Sequence, residues 1–407
     1  MSELEQLQPS LIGLFPAQLR ETLVALRRDL HMNPELSLRE ERTAGKLYSA
    51  LEVLKPAELY RVGGSDGKAG TGVIARIRGR EPGIPPVAVR GDIDALPIQE
   101  NTGLPFTSRI PGVMHACGHD VHATWAVGAA HLLAAEPAAG DVIVVLQPAE
   151  ETGSGALVIL ESEALDGVAA IFGAHVDRRF EVGQVVAEAG PLAAAADTFD
   201  IELVGAGAHG ARPHESADPI VGAGALIGAL QTIVSRRINP AEPAVVTIGT
   251  VHAGSAHNII PGSATLSGTL RAVDADTRRF LHEELRRITE SVAATYRLEA
   301  RVSLGLGPPP IVNPPQAAAW AHEAAAAVLG AEAVVPLGTL NMGGEDFAHY
   351  MEHIPGCFMR VGARERGGQP IPAHSPRFYA AEESIFVGAA VLAESARVAS
   401  RALAEGL

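Results

Sequence analysis

Five short segments carry side chains that could hold metal ions or move protons. RGDIDALP brings Asp92 and Asp94, and MHACGHDVHA brings His115, Cys117, His119, Asp120 and His122. QPAEE contributes Glu150 and Glu151, GAH ends in His175, and PAHSP sets His374 in a proline-bounded loop. Thiolate, imidazole and carboxylate are the donors that bind borderline divalent ions, and a carboxylate beside such an ion can act as a base. Cys117 and His119, two apart with Gly118 between them to relax the backbone, suit a shared metal. Taken singly, each segment also has a bland reading: paired glutamates usually make a solvated face, and a lone histidine is usually a hydrogen-bonded residue. What joins these segments is position. Each follows a predicted strand or sits in a turn, and ligands of open α/β sheets gather beyond the carboxyl ends of the strands.

The elements that must position them alternate helix and strand. Leu19, Leu23, Leu26 and Leu30 fall at helical spacing over 19–30, and Asn33 and Pro34 stop that helix. A second amphipathic helix is predicted over 40–54. Short apolar runs at Val73–Ile77, Val87–Val89, Val142–Leu146 and Ala169–Phe172 read as buried strands, with helices near 122–135 and 154–161 between them. This is an α/β sheet with substantial parallel character and helices on both faces. From about Ala193 the texture changes. Thr198–Val204 alternates like a half-exposed strand; a helix over 219–236, strands over 244–252 and 263–273, a charged helix over 276–292 and a strand near 298–304 follow. That βαββαβ order predicts a ferredoxin-like α+β satellite. GLGPPPIVNPP reads as a linker, and a long helix starts near 382. The expected partition is a discontinuous catalytic domain, 1–192 and 308–407, interrupted by a satellite over 193–307.

Composition bounds the function. A chain of 407 residues is too long for one compact core, and 47% apolar with 19% charged residues is ordinary for a globular enzyme. The net charge of -15 repels nucleic acid, no basic stripe offsets it, and it is read as solubility. Lysine occurs only at positions 46, 55 and 68, a compositional habit without chemistry. MSELEQLQPSLIGLF has two acids and no basic region ahead of its short apolar run, unlike a secretory signal, and no continuous apolar stretch suits a membrane helix. Cys117 and Cys357 are the only cysteines, which fits a reducing, cytoplasmic setting; Cys357, in PGCFMRVG, reads as a buried thiol. No nucleic-acid or membrane partner is expected.

RGDIDALPIQE, MHACGHDVHA, LQPAEE, GAHV, GAHGARPHESADPI, HNIIPGSATLSGTLR, GGEDFAHY and AHSP together resemble the metal-dependent amidohydrolases. These include hippurate hydrolases, N-acyl-amino-acid deacylases and indole-3-acetyl-amino-acid hydrolases, related to the aminoacylase and carboxypeptidase G group. The likeness runs from about residue 27 to residue 385. It implies a pair of divalent ions per subunit held by Cys117, His119, Glu151, His175 and His374, with the Cys117 thiolate bridging and Glu150 as general base. Asp92 fits a role behind the ligands, orienting a histidine or damping charge, and Asp120 is a second candidate for it. The resemblance further implies that His209 reaches a neighbouring subunit's active site to stabilise an oxyanion or bind substrate, and that Asn258 and Arg271 hold a substrate carboxylate. A homodimer formed through the satellite is expected.

The implied reaction is hydrolysis of an N-acyl-amino acid to release the free amino acid; a dipeptidase or carboxypeptidase acting on short peptides is the alternative. A binding protein that had lost catalysis would lack a ligand or the base, and none is missing. A thiolate with imidazoles favours zinc, while the carboxylate tolerates manganese or cobalt. Two stretches depart from the family's usual pattern. IPAHSPRFYAAEES carries Arg377 and Tyr379, and GAHVDRRFEVG carries Arg178 and Arg179 where a proline-containing stretch is usual.

Overall fold

The computed structural model describes residues 9–64 and 70–406. The first eight residues of the acidic N-terminal stretch, and Lys68, lie outside these. The chain divides into two compact units: Met1–Gly190, Asn313–Thr339 and Asp346–Leu407 form one, Pro191–Val312 and Leu340–Glu345 the other.

The first unit is built on a mixed sheet in the order Glu58–Val62, Gly72–Ile77, Val142–Gln147, Val87–Asp92, Ala170–Glu181, Gly356–Arg364 and Val185–Val186. The central pairings are parallel and the outer ones antiparallel. Val87–Asp92 and Val142–Gln147 are buried at every position, so both faces are covered. Strand alternation sorts those faces. Val87, Val89, Val142, Val144 and Leu146 join an apolar core with the helices His119–Ala135 and Ser384–Ala404. The opposite face carries a closed polar network, in which Arg90 Nε donates to Gln147 Oε1 (2.8 Å), Arg90 Nη2 to Asp346 Oδ1 (2.9 Å) and Tyr350 Oη to Gln147 Oε1 (3.0 Å). Mutual pairing is what makes burying such groups tolerable.

The helix His119–Ala135 is buried on nearly every side and starts earlier than the periodicity predicts, at His119. Gly91 allows its first turn to touch the sheet: a Cβ there would lie 2.4 Å from the His122 carbonyl oxygen. Other boundaries also differ from the sequence reading. Ala170–Glu181 continues well past Phe172, because its polar second half still pairs with Gly356–Arg364. The proline-rich run read as a linker contains a strand, Ile311–Asn313, paired with Gly190–Ala193.

The second unit has an antiparallel four-stranded sheet in the order Ala244–Ala253, Ser263–Ala272, Ala195–Val204 and Glu299–Gly305, the ferredoxin-like arrangement. Its two helices, Pro219–Thr232 and Ala275–Thr295, are both capped by aspartates. Asp218 accepts from Ile220 N (2.9 Å) and Asp274 from Thr277 N (2.8 Å). A π-helical turn, Ile233–Arg237, extends the first of them. Pro219–Arg237 is, among the described residues, the one helix long and apolar enough to cross a membrane by length and composition alone. Here its Ala223, Leu226 and Leu230 join the core between sheet and helices.

Asp197 ties this unit together. Its buried carboxylate accepts from Arg278 Nε (2.8 Å), His282 Nε2 (2.7 Å) and Gly307 N (3.0 Å). Burial alone would raise its pKa, but the Arg278 and His282 hydrogen bonds hold it below the usual carboxylate range. A depressed carboxylate pKa contributes stability above about pH 4, lost as pH falls through the folded-state value. Asp197→Asn is therefore expected to cost about 2 kcal/mol at pH 7, judged from denaturant midpoints, and less near pH 3.5. A deficit independent of pH would contradict this account of Asp197.

Candidate metal centre

Each candidate ligand of the first unit is set by its local backbone. Gly118, at φ 94°, takes the left-handed conformation that turns the chain from Cys117 into the helix beginning at His119. A Cβ on Gly118 would lie 2.4 Å from Val176 Cγ2, so the turn also packs closely on the strand that carries His175. Beyond Val142–Gln147, Ala149 has φ 55° and leads into a short 3₁₀ turn, Glu150–Thr152. Neighbouring residues of a strand would face opposite ways; this turn lets both glutamates face one place. Glu40, fully buried, accepts from Ala149 N (2.9 Å), and burial raises its carboxyl to about 7. His374, with φ 65°, sits in an exposed loop pinned where its own N–H donates to Ala116 O (2.8 Å).

These backbones bring the donor atoms into two groups that share one sulfur. Cys117, His119 and His175 form one group, and Cys117, Glu151 and His374 the other, each with its donor atoms within 4.8 Å of one another. Cys117 Sγ lies 3.2 Å from His175 Nε2, and Glu151 Oε1 lies 3.3 Å from His374 Nε2. Donors on one tetrahedral ion are separated by roughly 3.3–3.8 Å at bond lengths of about 2.0–2.3 Å. The imidazoles also present the correct nitrogen. His175 Nδ1 donates to Val176 O (2.7 Å) and His119 Nδ1 to Asp94 Oδ1 (3.0 Å), which leaves Nε2 of each ring facing the cluster. His119 Nε2 is buried and has no hydrogen-bond partner. Buried polar atoms are rarely left so, and an ion is the natural partner for this donor set. The residues present fit a pair of dications.

The electrostatics agree. Burial and the charge of Glu151 push the Cys117 thiol well above its ordinary range. A neighbouring dication reverses that direction and takes the thiolate. Burial, with His122 and Arg360 beside it, holds His175 well below the usual imidazole value and so favours the neutral ring. Burial opposes charging His119, but Asp92, Cys117 and the Asp94 hydrogen bond outweigh it and raise that ring. A hydrogen bond to Glu151 raises His374. Glu150 adds a carboxylate whose Oε2 lies 3.8 Å from His119 Nε2.

Two of the supporting roles differ from the sequence reading. Asp94, not Asp92, orients His119, and its other oxygen accepts from Glu151 N (3.1 Å) and Ser37 Oγ (2.7 Å). Asp92 pairs with Arg90, accepts from His122 Nδ1 (2.6 Å) and lies 3.7 Å from His119 Nε2, where its charge acts on that ring as the charge-damping reading expects. His122 Nε2 accepts from Val176 N (2.9 Å), so both of its nitrogens are engaged in hydrogen bonds. Asp120 points elsewhere: it meets His31 Nδ1 and Arg27 Nε, each at 2.8 Å, and touches none of the five donors. Asp94 was visible in RGDIDALP; the missing signal was the direction in which the chain leaves the strand after Asp92. Cys357 is fully buried and burial pushes its thiol up, as an inert core residue.

In the second unit, His209 and Asn258 are brought together and Arg271 stands on another strand. His209 pairs with Ile259 across a two-stranded ribbon, and Gly210 N donates to Asn258 O (2.8 Å). His209 is exposed, and its Nδ1 accepts from Ala211 N (3.1 Å). With Nδ1 accepting, the tautomer of this ring that matches the contact has Nε2 as its donor nitrogen. Arg271 is half-buried in Ser263–Ala272, opposite Val245 and Ala196.

Comparison with known proteins bears on this geometry. The profile of peptidase family M20/M25/M40 matches residues 88–397. An N-acetylcysteine deacetylase of Bacillus subtilis (strain 168) is 42% identical over 376 residues, covering 92% of this chain and 96% of that one. The IAA-amino acid hydrolase ILR1-like 2 of Arabidopsis thaliana is 39% identical over 380 residues, covering 92% of this chain and 84% of its own. Among solved structures, the Bacillus subtilis YXEP protein, described as a dinuclear metal binding peptidase from the M20 family, superposes with a TM-score of 0.82. It is 38% identical, with 94% of this chain and 98% of that one covered.

Proposed function

The chain belongs to peptidase family M20/M25/M40 and is a metal-dependent amidohydrolase, and on that premise we propose that it cleaves the amide bond of an N-acyl-amino acid. The observation that carries the proposal is the pair of donor groups sharing Cys117, with Glu150 beside them. Relatives named for N-acetylcysteine and for an auxin–amino acid conjugate support the substrate class.

Cys117, His119 and His175 would hold one dication, and Cys117, Glu151 and His374 would hold the other. Bound there, such a pair supplies Lewis acidity toward the scissile carbonyl and toward water. Glu150 takes the proton of the attacking water and delivers it to the leaving nitrogen, so that the C–N bond breaks to the acid and the amine, which after transfer of the acid's proton part as carboxylate and ammonium. The donor Nε2–H of His209, from a second copy of the chain, steadies the carbonyl oxygen as it gains charge. Arg271 holds the amino-acid carboxylate through its planar fork, with Asn258 assisting. Zinc suits the thiolate and imidazoles, and manganese or cobalt would also be held. The chain works in the cytoplasm as a homodimer. In support of the dimer, Ile220, Val221 and Val251 are exposed on the helix Pro219–Thr232 and on the edge strand Ala244–Ala253 of the second unit.

A panel of N-acetyl-, N-benzoyl- and N-aminoacyl-amino acids tests the reading on metal-loaded protein that is expected to sediment as a dimer. Turnover of the N-acetyl or N-benzoyl compounds is expected. Exclusive turnover of dipeptides would favour the peptidase alternative, which the description of the YXEP protein supports.

A further inference from the structure

The geometry points to Arg178 as a positioning residue for His374, acting through the loop of residues 365–379. Arg178 lies three residues beyond His175 on the same strand, Ala170–Glu181, and its side chain is buried. Its Nη1 donates to Ala363 O (3.2 Å), Tyr379 O (3.0 Å) and Glu365 Oε2 (3.0 Å). Its Nη2 donates to Gln369 O (2.8 Å) and Glu365 Oε1 (3.2 Å). One guanidinium thus ties Ala363, Glu365 and Gln369, ahead of His374, to Tyr379 after it.

The clamp is closed from its far side. Arg178 stacks with its guanidinium carbon 4.2 Å from the centre of the Tyr379 ring, and Tyr379 Oη donates to Glu365 Oε1. The hydrogen bonds from Arg178 and Tyr379 overcome partial burial and hold the Glu365 carboxyl below its ordinary range. Between these fixed ends His374 is exposed and has left-handed backbone; its own N–H donates to Ala116 O (2.8 Å), its Nε2 lies 3.3 Å from Glu151 Oε1, Asn101 N donates to Pro376 O (2.7 Å) and Arg364 Nη1 to Gly368 O (3.2 Å). The two stretches that depart from the family's usual pattern, Arg178–Arg179 and the one containing Tyr379, therefore meet in one device. It references the His374 loop to the strand carrying His175. Lysine cannot replace it, because a single ammonium cannot reach acceptors on both limbs in one plane.

This inference rests on His374 being a metal ligand, and the experiment separates the two. Full-length, metal-stripped wild type, Arg178→Lys and Tyr379→Phe are titrated with zinc against a chromophoric chelator, with thermal unfolding recorded in parallel. Wild type is expected to take up two equivalents. Both variants are expected to keep the first and to bind the second at least about tenfold more weakly, because Cys117, His119 and His175 are untouched while the His374 loop is loosened. Two equivalents with unaltered affinities in Arg178→Lys would overturn the inference. Should Arg178→Lys lose its cooperative unfolding transition, Tyr379→Phe decides: unweakened binding of its second equivalent overturns the inference equally. Failure of the wild type to take up two equivalents would instead sink the metal-centre reading itself.

Discussion

Glu150→Ala is expected to retain both metal ions and to lose turnover by at least about 10². Glu150 is not in the two donor groups that share Cys117 but joins His119 and Glu151 in a third, its Oε2 3.8 Å from His119 Nε2. That place suits a base that must reach a water near the ions. The left-handed Ala149 and the 3₁₀ turn after it turn adjacent glutamates toward one place, as the proposed division of work between Glu151 on an ion and Glu150 on a proton requires. Glu150→Gln should be nearly as slow as the alanine variant, since an amide keeps the shape and cannot take the proton. In both, kcat is expected to fall while KM changes little, the pattern of a group that acts only in the transition state. Full activity in either variant would show that the base is elsewhere.

Cys117→Ala is expected to lower metal retention below two equivalents and to reduce activity severely. The sulfur belongs to both donor groups, so its loss weakens both ions, whereas loss of His175 or His374 would touch one. A further readout follows from its protonation. Burial and Glu151 keep the thiol protonated in the metal-free protein, so zinc uptake by wild type must release that proton, and affinity should rise with pH. The alanine variant should release one proton fewer. Intact two-ion stoichiometry in Cys117→Ala, by elemental analysis, would argue against a shared thiolate.

The segments that form the cluster were legible because they obey general rules. Buried strands show as short runs of Val, Ile and Leu, and the side chains that follow them end up at one edge of the sheet. The four strands and two helices of the second unit were legible from periodicity, since Ala195–Val204 alternates buried and less buried positions along its length. What stayed hidden depends on directions that spacing does not encode. Asp92 and Asp94 sit two apart in one motif, yet the chain leaves the strand between them, and only Asp94 meets His119 Nδ1. Asp120 follows His119, but successive helix residues diverge by about 100°, which carries Asp120 toward Arg27 and His31. The strand Ile311–Asn313 is concealed by the prolines around it. Arg178 looked like a departure near a ligand; its partners, up to about 200 positions away in the chain, give it a reason.

Anomalous diffraction at the zinc edge from zinc-loaded crystals tests the central claim most directly. Two peaks are expected per chain, one flanked by His119 and His175, the other by Glu151 and His374, with Cys117 Sγ in bonding reach of both. A single peak, or two ions neither of which touches that sulfur, would contradict the account.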